Sequence, residues 1–202
     1  MYSLKLINML GLKLETDPHW VNIAEQNIEE ILTDHAWCEQ KAATNAISIV
    51  IGFPYHSDLV DELLCLAKEE LSHFEMVHQK IKARGLSLGF ERKDEYVNEL
   101  YKFMRKGHKK EIVLIDRLLF SAMIEARSCE RFKLLSQHVK DDELREFYHE
   151  LMVSEANHYT TFIAFARKYG SEVEDVNARW QQWLDYEAEV VKSYGKHETI
   201  HG

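Results

Sequence analysis

Six side chains in this sequence repeat a pattern with the chemistry of a metal centre. They are Glu39, then Glu70-x-x-His73, then Glu125, then Glu155-x-x-His158. Residues three apart on a helix share a face, so each Glu-x-x-His can aim both donors at one ion. Mixed carboxylate and imidazole donors suit iron or manganese better than a closed zinc site.

Glu-x-x-His alone is a weak signal. The chain holds five: Glu70/His73, Glu75/His78, Glu146/His149, Glu155/His158 and Glu198/His201. Its composition predicts about 1.3 by chance, which a short motif must beat. Helix position sorts them. Glu75 lies about 140° around the helix from Glu70, and Glu146 about 180° from Glu155, at 100° per residue. Those two pairs fall on solvated faces, and the last lies in the tail. The other two pairs, with Glu39 and Glu125, interrupt apolar stripes of i, i+3/i+4, i+7 spacing. The stripes run Ile28, Ile31, Leu32, His35, Glu39, Ala42, Ala46; then Leu63, Leu66, Ala67, Glu70, His73, Phe74, Val77; then Ile115, Leu118, Ala122, Glu125, Cys129, Phe132; then Leu144, Tyr148, Leu151, Glu155, His158, Phe162. A carboxylate buried in such a stripe is costly unless it is paired or holds a metal.

The breakers outline the elements that must carry these residues. Asp17-Pro18 opens a helix over about 18–51, and Gly52-Phe53-Pro54 stops it. Ser57 caps a second helix, 58–84. Residues 86–108 form a long connection with a short helix near 95–105. A third long helix covers 109–139, and Asp141-Asp142 starts a fourth, 142–169. Ser171-x-x-Glu174 has the form of a capping box for an extra helix over 172–194, followed by a frayed tail. No segment alternates as a strand. Two antiparallel hairpins with one long crossover is the all-α, ferritin-like four-helix arrangement, here with an additional C-terminal helix and read as one domain over 1–202. The midpoint of Glu39 and Glu70 falls at Pro54-Tyr55, and that of Glu125 and Glu155 at Lys140-Asp141. Each Glu pair therefore lies level in its hairpin, about 22–23 Å from the turn at 1.5 Å per residue. One Glu on each of two helices and a Glu-x-x-His on each of two others is the ligand set of di-iron carboxylate bundles. Four such carboxylates would repel severely without two divalent ions to neutralise them.

Composition narrows the function classes. The 202 residues are 46% hydrophobic and carry a formal net charge of -9, against indiscriminate nucleic-acid coating. Three cysteines, an odd number with no CxxC, argue against a disulfide framework and a zinc ribbon and fit a reducing cytoplasm. The start Met1-Tyr2-Ser3-Leu4-Lys5 shows no signal peptide, and no run approaches the ~18 apolar residues of a membrane span.

Asp34-His35-Ala36-Trp37-Cys38-Glu39-Gln40-Lys41-Ala42-Ala43, Gly52-Phe53-Pro54 and Leu66-Ala67-Lys68-Glu69-Glu70-Leu71-Ser72-His73-Phe74-Glu75 resemble the tRNA 2-methylthio-N6-isopentenyladenosine hydroxylase family, MiaE. So do Ser154-Glu155-Ala156-Asn157-His158-Tyr159 and Arg179-Trp180-Gln181-Gln182-Trp183-Leu184. The resemblance implies an O2-dependent non-haem di-iron monooxygenase. It would hydroxylate the isopentenyl group of the modified adenosine beside the tRNA anticodon, acting through the metals held by Glu39, Glu70, His73, Glu125, Glu155 and His158. Two electrons per turnover would come from a separate reductase, since no flavin, nicotinamide or iron–sulfur fingerprint is present.

Residues 101–110 carry five Lys/Arg and no acid. With the crossover cations they make Arg84, Arg92, Lys93, Lys102, Arg105, Lys106, Lys109 and Lys110 candidate tRNA contacts, against the reading of a solvated charge run. Cys129, one turn after Glu125, either lines the pocket or fills the core. Glu69 either orients a histidine of the facing hairpin or sits at the surface. Trp180 and Trp183 read as packing residues.

The rivals are another di-iron hydroxylase, such as a demethoxyubiquinone hydroxylase, and ferritin- or rubrerythrin-like iron oxidation. The first should expose an amphipathic membrane-binding face, and none is evident. Val77 and Phe162 stand where a ribonucleotide reductase subunit would be expected to carry a radical tyrosine. Rubrerythrin would add a CxxC module.

Overall fold

Asn27 interrupts the first helical stretch. Its amide side chain donates to the Ile23 carbonyl at 2.8 Å, and its backbone leaves the helical region at φ -128°, ψ 44°. The expected helix over 18–51 is therefore two, α1 (Trp20–Gln26) and α2 (Ile28–Gly52). Asp17 sits at the entry as expected, its carboxylate accepting from His19 N at 2.9 Å. The computed structural model describes residues 10–193 and 199–200. The Glu198/His201 pair, most of the tail and the first nine residues lie outside that range.

The described chain divides into two compact units, one of them Ile23–Lys93 with residues 199–200. In this unit α2 packs against α3 (Ser57–Ala83) as an antiparallel hairpin. Pro54 cannot continue a helix and restricts Phe53, which leaves the helical region. Ser57 is the first helical residue rather than the cap, and His56 occupies the cap position without a side-chain bond. The far end of α3 closes through Gly85 at φ 70°, with Gly85 N bonding to Lys82 O and Leu86 N to Ile81 O. That is a Schellman end, which needs a residue tolerant of the left-handed region. The chain then runs back along α2. Trp37 Nε1 donates to Gly89 O at 3.0 Å, Lys41 pairs with Glu91 at 3.1 Å, and Arg92 pairs with Glu30 at 3.1 Å.

The other unit holds α4 (Glu95–Phe103), α5 (Lys110–His138), α6 (Asp142–Gly170) and α7 (Val176–Ser193), with the segment before Ile23. Asp94 caps α4 through Val97 N, and Asp141 caps α6 through Leu144 N, as its position in sequence suggests. The Ser171/Glu174 capping box does not form. Asp175 caps α7 through Ala178 N, Ser171 turns back to the Lys168 carbonyl, and Glu174 goes to Arg105.

α5 and α6 make the second antiparallel hairpin. α5 is buried on nearly every side from Leu114 to Leu135, its ionic residues included, because α4, α6 and α7 all pack on it. Arg127 bonds to Glu187 of α7 at 2.6 Å and to Glu130 at 3.0 Å, while Tyr96 of α4 donates to Glu187 at 2.9 Å. Thr16 donates to Glu130 from both its backbone N and its hydroxyl. A second knot joins Arg105, Asp116, Glu174 and Arg179. Trp183 packs edge-on against Phe103 at 5.0 Å, bearing out its reading as a packing residue.

Gly170 closes α6 where α7 comes close. A Cβ there would lie 2.2 Å from Val176 Cγ2 and 3.3 Å from Ile115 Cδ1. Gly170→Ala should cost about 1–3 kcal/mol by overpacking, read as a lower urea midpoint with unchanged slope.

No strand occurs among the described residues, and no described helix is long and apolar enough to cross a membrane.

Candidate metal centre

Each hairpin gathers its own set of two carboxylates and one imidazole. In the α2/α3 hairpin, Glu39, Glu70 and His73 offer donor atoms within 4.8 Å of one another. His73 Nδ1 lies 3.3 Å from Glu70 Oε2 and 3.6 Å from Glu39 Oε2. In the α5/α6 hairpin, Glu125, Glu155 and His158 do the same, with His158 Nδ1 3.9 Å from each of the two carboxylates. All six are buried; the most exposed, His73, shows 6% of its surface. The i, i+3 spacing and the level placement in each hairpin thus put every expected ligand with its partners. The surplus pairs separate as expected: Glu75, Glu146 and His149 are exposed, and the half-buried His78 stacks on Phe74.

The electrostatics of the first set fit a cation. Burial alone would raise the Glu39 carboxyl, yet hydrogen bonds from His35 and His73 hold it well below the usual carboxylate range. Burial alone would lower His73, yet hydrogen bonds to Glu39 and Glu70 push it up to about 11. Without metal, a proton on His73 supplies the positive charge these carboxylates demand. A divalent ion meets the same demand, and its binding would displace that proton.

His35 had appeared on the apolar stripe with no role attached. Its Nε2 lies 2.6 Å from Glu39 Oε1, and neither side chain is more than 5% exposed. With the Glu39 carboxyl held low, a proton on His35 Nε2 fixes one carboxylate oxygen, while the other faces His73 Nδ1 at 3.6 Å. The signal for it was the i, i+4 step to a candidate ligand. Glu69 is half exposed and approaches His73 of its own helix at 3.9 Å. Cys129 is fully buried, and its thiol donates to the Met152 carbonyl at 3.4 Å. Burial, with the charges of Glu155 and Glu130, pushes that thiol up to about 12, so it stays neutral.

The candidate tRNA contacts divide. Arg105 spends its guanidinium on Asp116 and Glu174 and belongs to the fold. Arg92 is paired with Glu30, Lys102 with Glu99, and Arg84 donates to its own helix at Lys80 O. Lys93, Lys106, Lys109 and Lys110 are exposed.

Residues 4–202 match the family model described as tRNA-(MS[2]IO[6]A)-hydroxylase (MiaE). The chain belongs to the MiaE family. A Pseudomonas putida protein named tRNA 2-(methylsulfanyl)-N(6)-isopentenyladenosine(37) hydroxylase is 40% identical over 159 residues, covering 79% of this chain and 76% of the relative. A Salmonella typhimurium protein of the same name is 28% identical, covering 94% and 87%. Among solved structures, protein 43 with aldehyde deformylating oxygenase activity from Synechococcus matches this MiaE-family chain with a TM-score of 0.85 and 32% identity, over 95% of both chains. The fold is thus ferritin-like and all-α, as the helix pattern indicates.

Proposed function

We propose that this chain is a tRNA hydroxylase that uses O2 and two iron ions to hydroxylate the isopentenyl side chain of 2-methylthio-N6-isopentenyladenosine next to the anticodon. The observation that carries the reading is the pair of matched sets, Glu39/Glu70/His73 and Glu125/Glu155/His158, each buried and each with its donors converging. In this reading residues 1–202 act as one domain, and each set holds iron through its own two carboxylates and imidazole. The names of the two curated relatives supply the substrate.

Bound iron supplies the redox chemistry that lets O2 react with a C–H bond. Overall, one oxygen atom enters the C–H bond and the other leaves as water, with two electrons from an external reductase and two protons. The chain's residues hold and shield the centre. Glu39 is oriented by His35. Ala122, Leu151 and Phe162, all buried, surround the Glu125 set on its own stripes and keep water out.

The test is iron-loaded protein with chemical reductant, O2 and tRNA carrying the isopentenylated adenosine. Nucleoside mass spectrometry should show a gain of one oxygen, derived from isotopically labelled O2. A second reading, aldehyde deformylation, follows from the name of the Synechococcus structure. A long-chain aldehyde in the same reaction decides between them: its consumption, with the tRNA unchanged, would replace the hydroxylase reading.

A further inference from the structure

We infer that the exposed turn carrying Lys106, Lys109 and Lys110 is a surface that grips RNA phosphates. This inference rests on the tRNA reading above for its choice of polyanion. The chain has a net charge of -9, yet residues 101–110 hold five cations and no acid. The structure sorts those five. Arg105 and Lys102 are committed to carboxylates. Lys106, Lys109 and Lys110 are exposed, as is His108, and none of them forms an ion pair among the described residues.

The base beneath these lysines is held by stacking and ionic hydrogen bonds. Phe103 stacks on Tyr186 at 4.4 Å, with the Arg179 guanidinium 4.3 Å from its ring centre. Arg105 N donates to Asp116 Oδ2 at 2.8 Å, and its side chain bridges Asp116 and Glu174. The turn then reverses at Gly107, at φ 74°. Lys106 lies 4.4 Å above the ring of Tyr101, itself half exposed. The half-buried Arg105 thus pins the turn, and three exposed lysines without ion pairs among the described residues stand on it. Pinning reduces the ordering cost of binding, since less of the chain must be fixed on contact.

The placement also runs against local stability. Lys109 and Lys110 sit at the start of α5, where the helix dipole disfavours cations, and no side chain caps that end. Glu111 is the one acid in the first turn. Fold stability alone would favour acids there; a phosphate backbone favours what is present. Such contacts position the substrate without reading its sequence.

The experiment uses the iron-loaded full chain and a triple variant, Lys106→Gln/Lys109→Gln/Lys110→Gln. A matched triple at Lys82, Lys140 and Lys168, exposed on other surfaces, controls for net charge. Unmodified tRNA transcript is the binding probe, titrated over a range of salt. The patch variant should bind about tenfold or more weakly, and its log–log salt slope should shrink by about 2–3, at 0.7–0.9 per phosphate contact. With isopentenylated tRNA its KM should rise by a similar factor at unchanged kcat, iron content and melting temperature. The inference is overturned if the patch variant binds like wild type, if the control triple weakens binding equally, or if wild type binds no tRNA. Patch-dependent binding by wild type with no hydroxylation would uphold this surface and sink the hydroxylase reading instead.

Discussion

Glu125→Ala should bind less than half the iron of wild type and lose turnover by more than 100-fold. Wild type should hold about two coupled irons per chain in Mössbauer spectra, the complement of a di-iron carboxylate bundle. Partners that only orient metal ligands cost 10–100-fold when mutated, so a direct ligand should cost more. Stability distinguishes this loss from misfolding. Glu125 and Glu155 are buried with donor atoms within 4.8 Å, so without metal their like charges oppose folding. Removing one should leave the metal-free protein as stable as wild type, or more so. Added ferrous iron should then stabilise wild type by about 2.7 kcal/mol at a hundred times Kd, and the variant far less. A variant that keeps two irons, or one that unfolds without metal, would remove Glu125 from the ligand set. Glu70→Ala makes the same test in the other hairpin.

The six donors were legible because they break a rule. A carboxylate in an apolar stripe is conspicuous, and two such pairs, each level within its own hairpin, point to a metal. The hairpin turns were legible at Gly52-Phe53-Pro54 and Asp141-Asp142, since Pro, Gly and a capping Asp act locally. What escaped depends on distant partners or on a side chain's choice of acceptor. Asn27 breaks a helix by capturing the Ile23 carbonyl, which Asn does in some contexts and not others. Glu174 completes a capping box on paper but bonds to Arg105, 69 residues away. Arg127 and Glu187, 60 residues apart, read as surface charges until α7 is laid on α5. Arg105 likewise reads as one more cation in a basic run, yet it anchors the run.

Asp116→Ala should produce the opposite signature to Glu125→Ala: a large loss of stability with iron content per folded chain preserved. Asp116 is 1% exposed and accepts five N–H bonds, three from Arg105 and two from Arg179. Removing Asp116 leaves the buried Arg179 guanidinium without a carboxylate and Arg105 with Glu174 alone, at a cost of about 3–5 kcal/mol. For a chain of this size that lowers the melting temperature by roughly 6–20 °C. Burial alone would raise the Asp116 carboxyl, but Arg179 and Arg105 hold it below its ordinary value. A depressed carboxyl stabilises the fold above its unfolded pKa of about 3.9, and that contribution fades as pH falls through the folded value. The gap between wild type and Asp116→Ala in urea titrations should therefore be full at pH 7 and shrink below about pH 4. A gap of less than about 1 kcal/mol at pH 7 would mean that Arg105 is adequately held by Glu174, and Arg179 by the Phe103 carbonyl and Gln182. The basic turn would then need another anchor, because among the described residues Asp116 on α5 accepts from both Arg105 of the turn and Arg179 of α7.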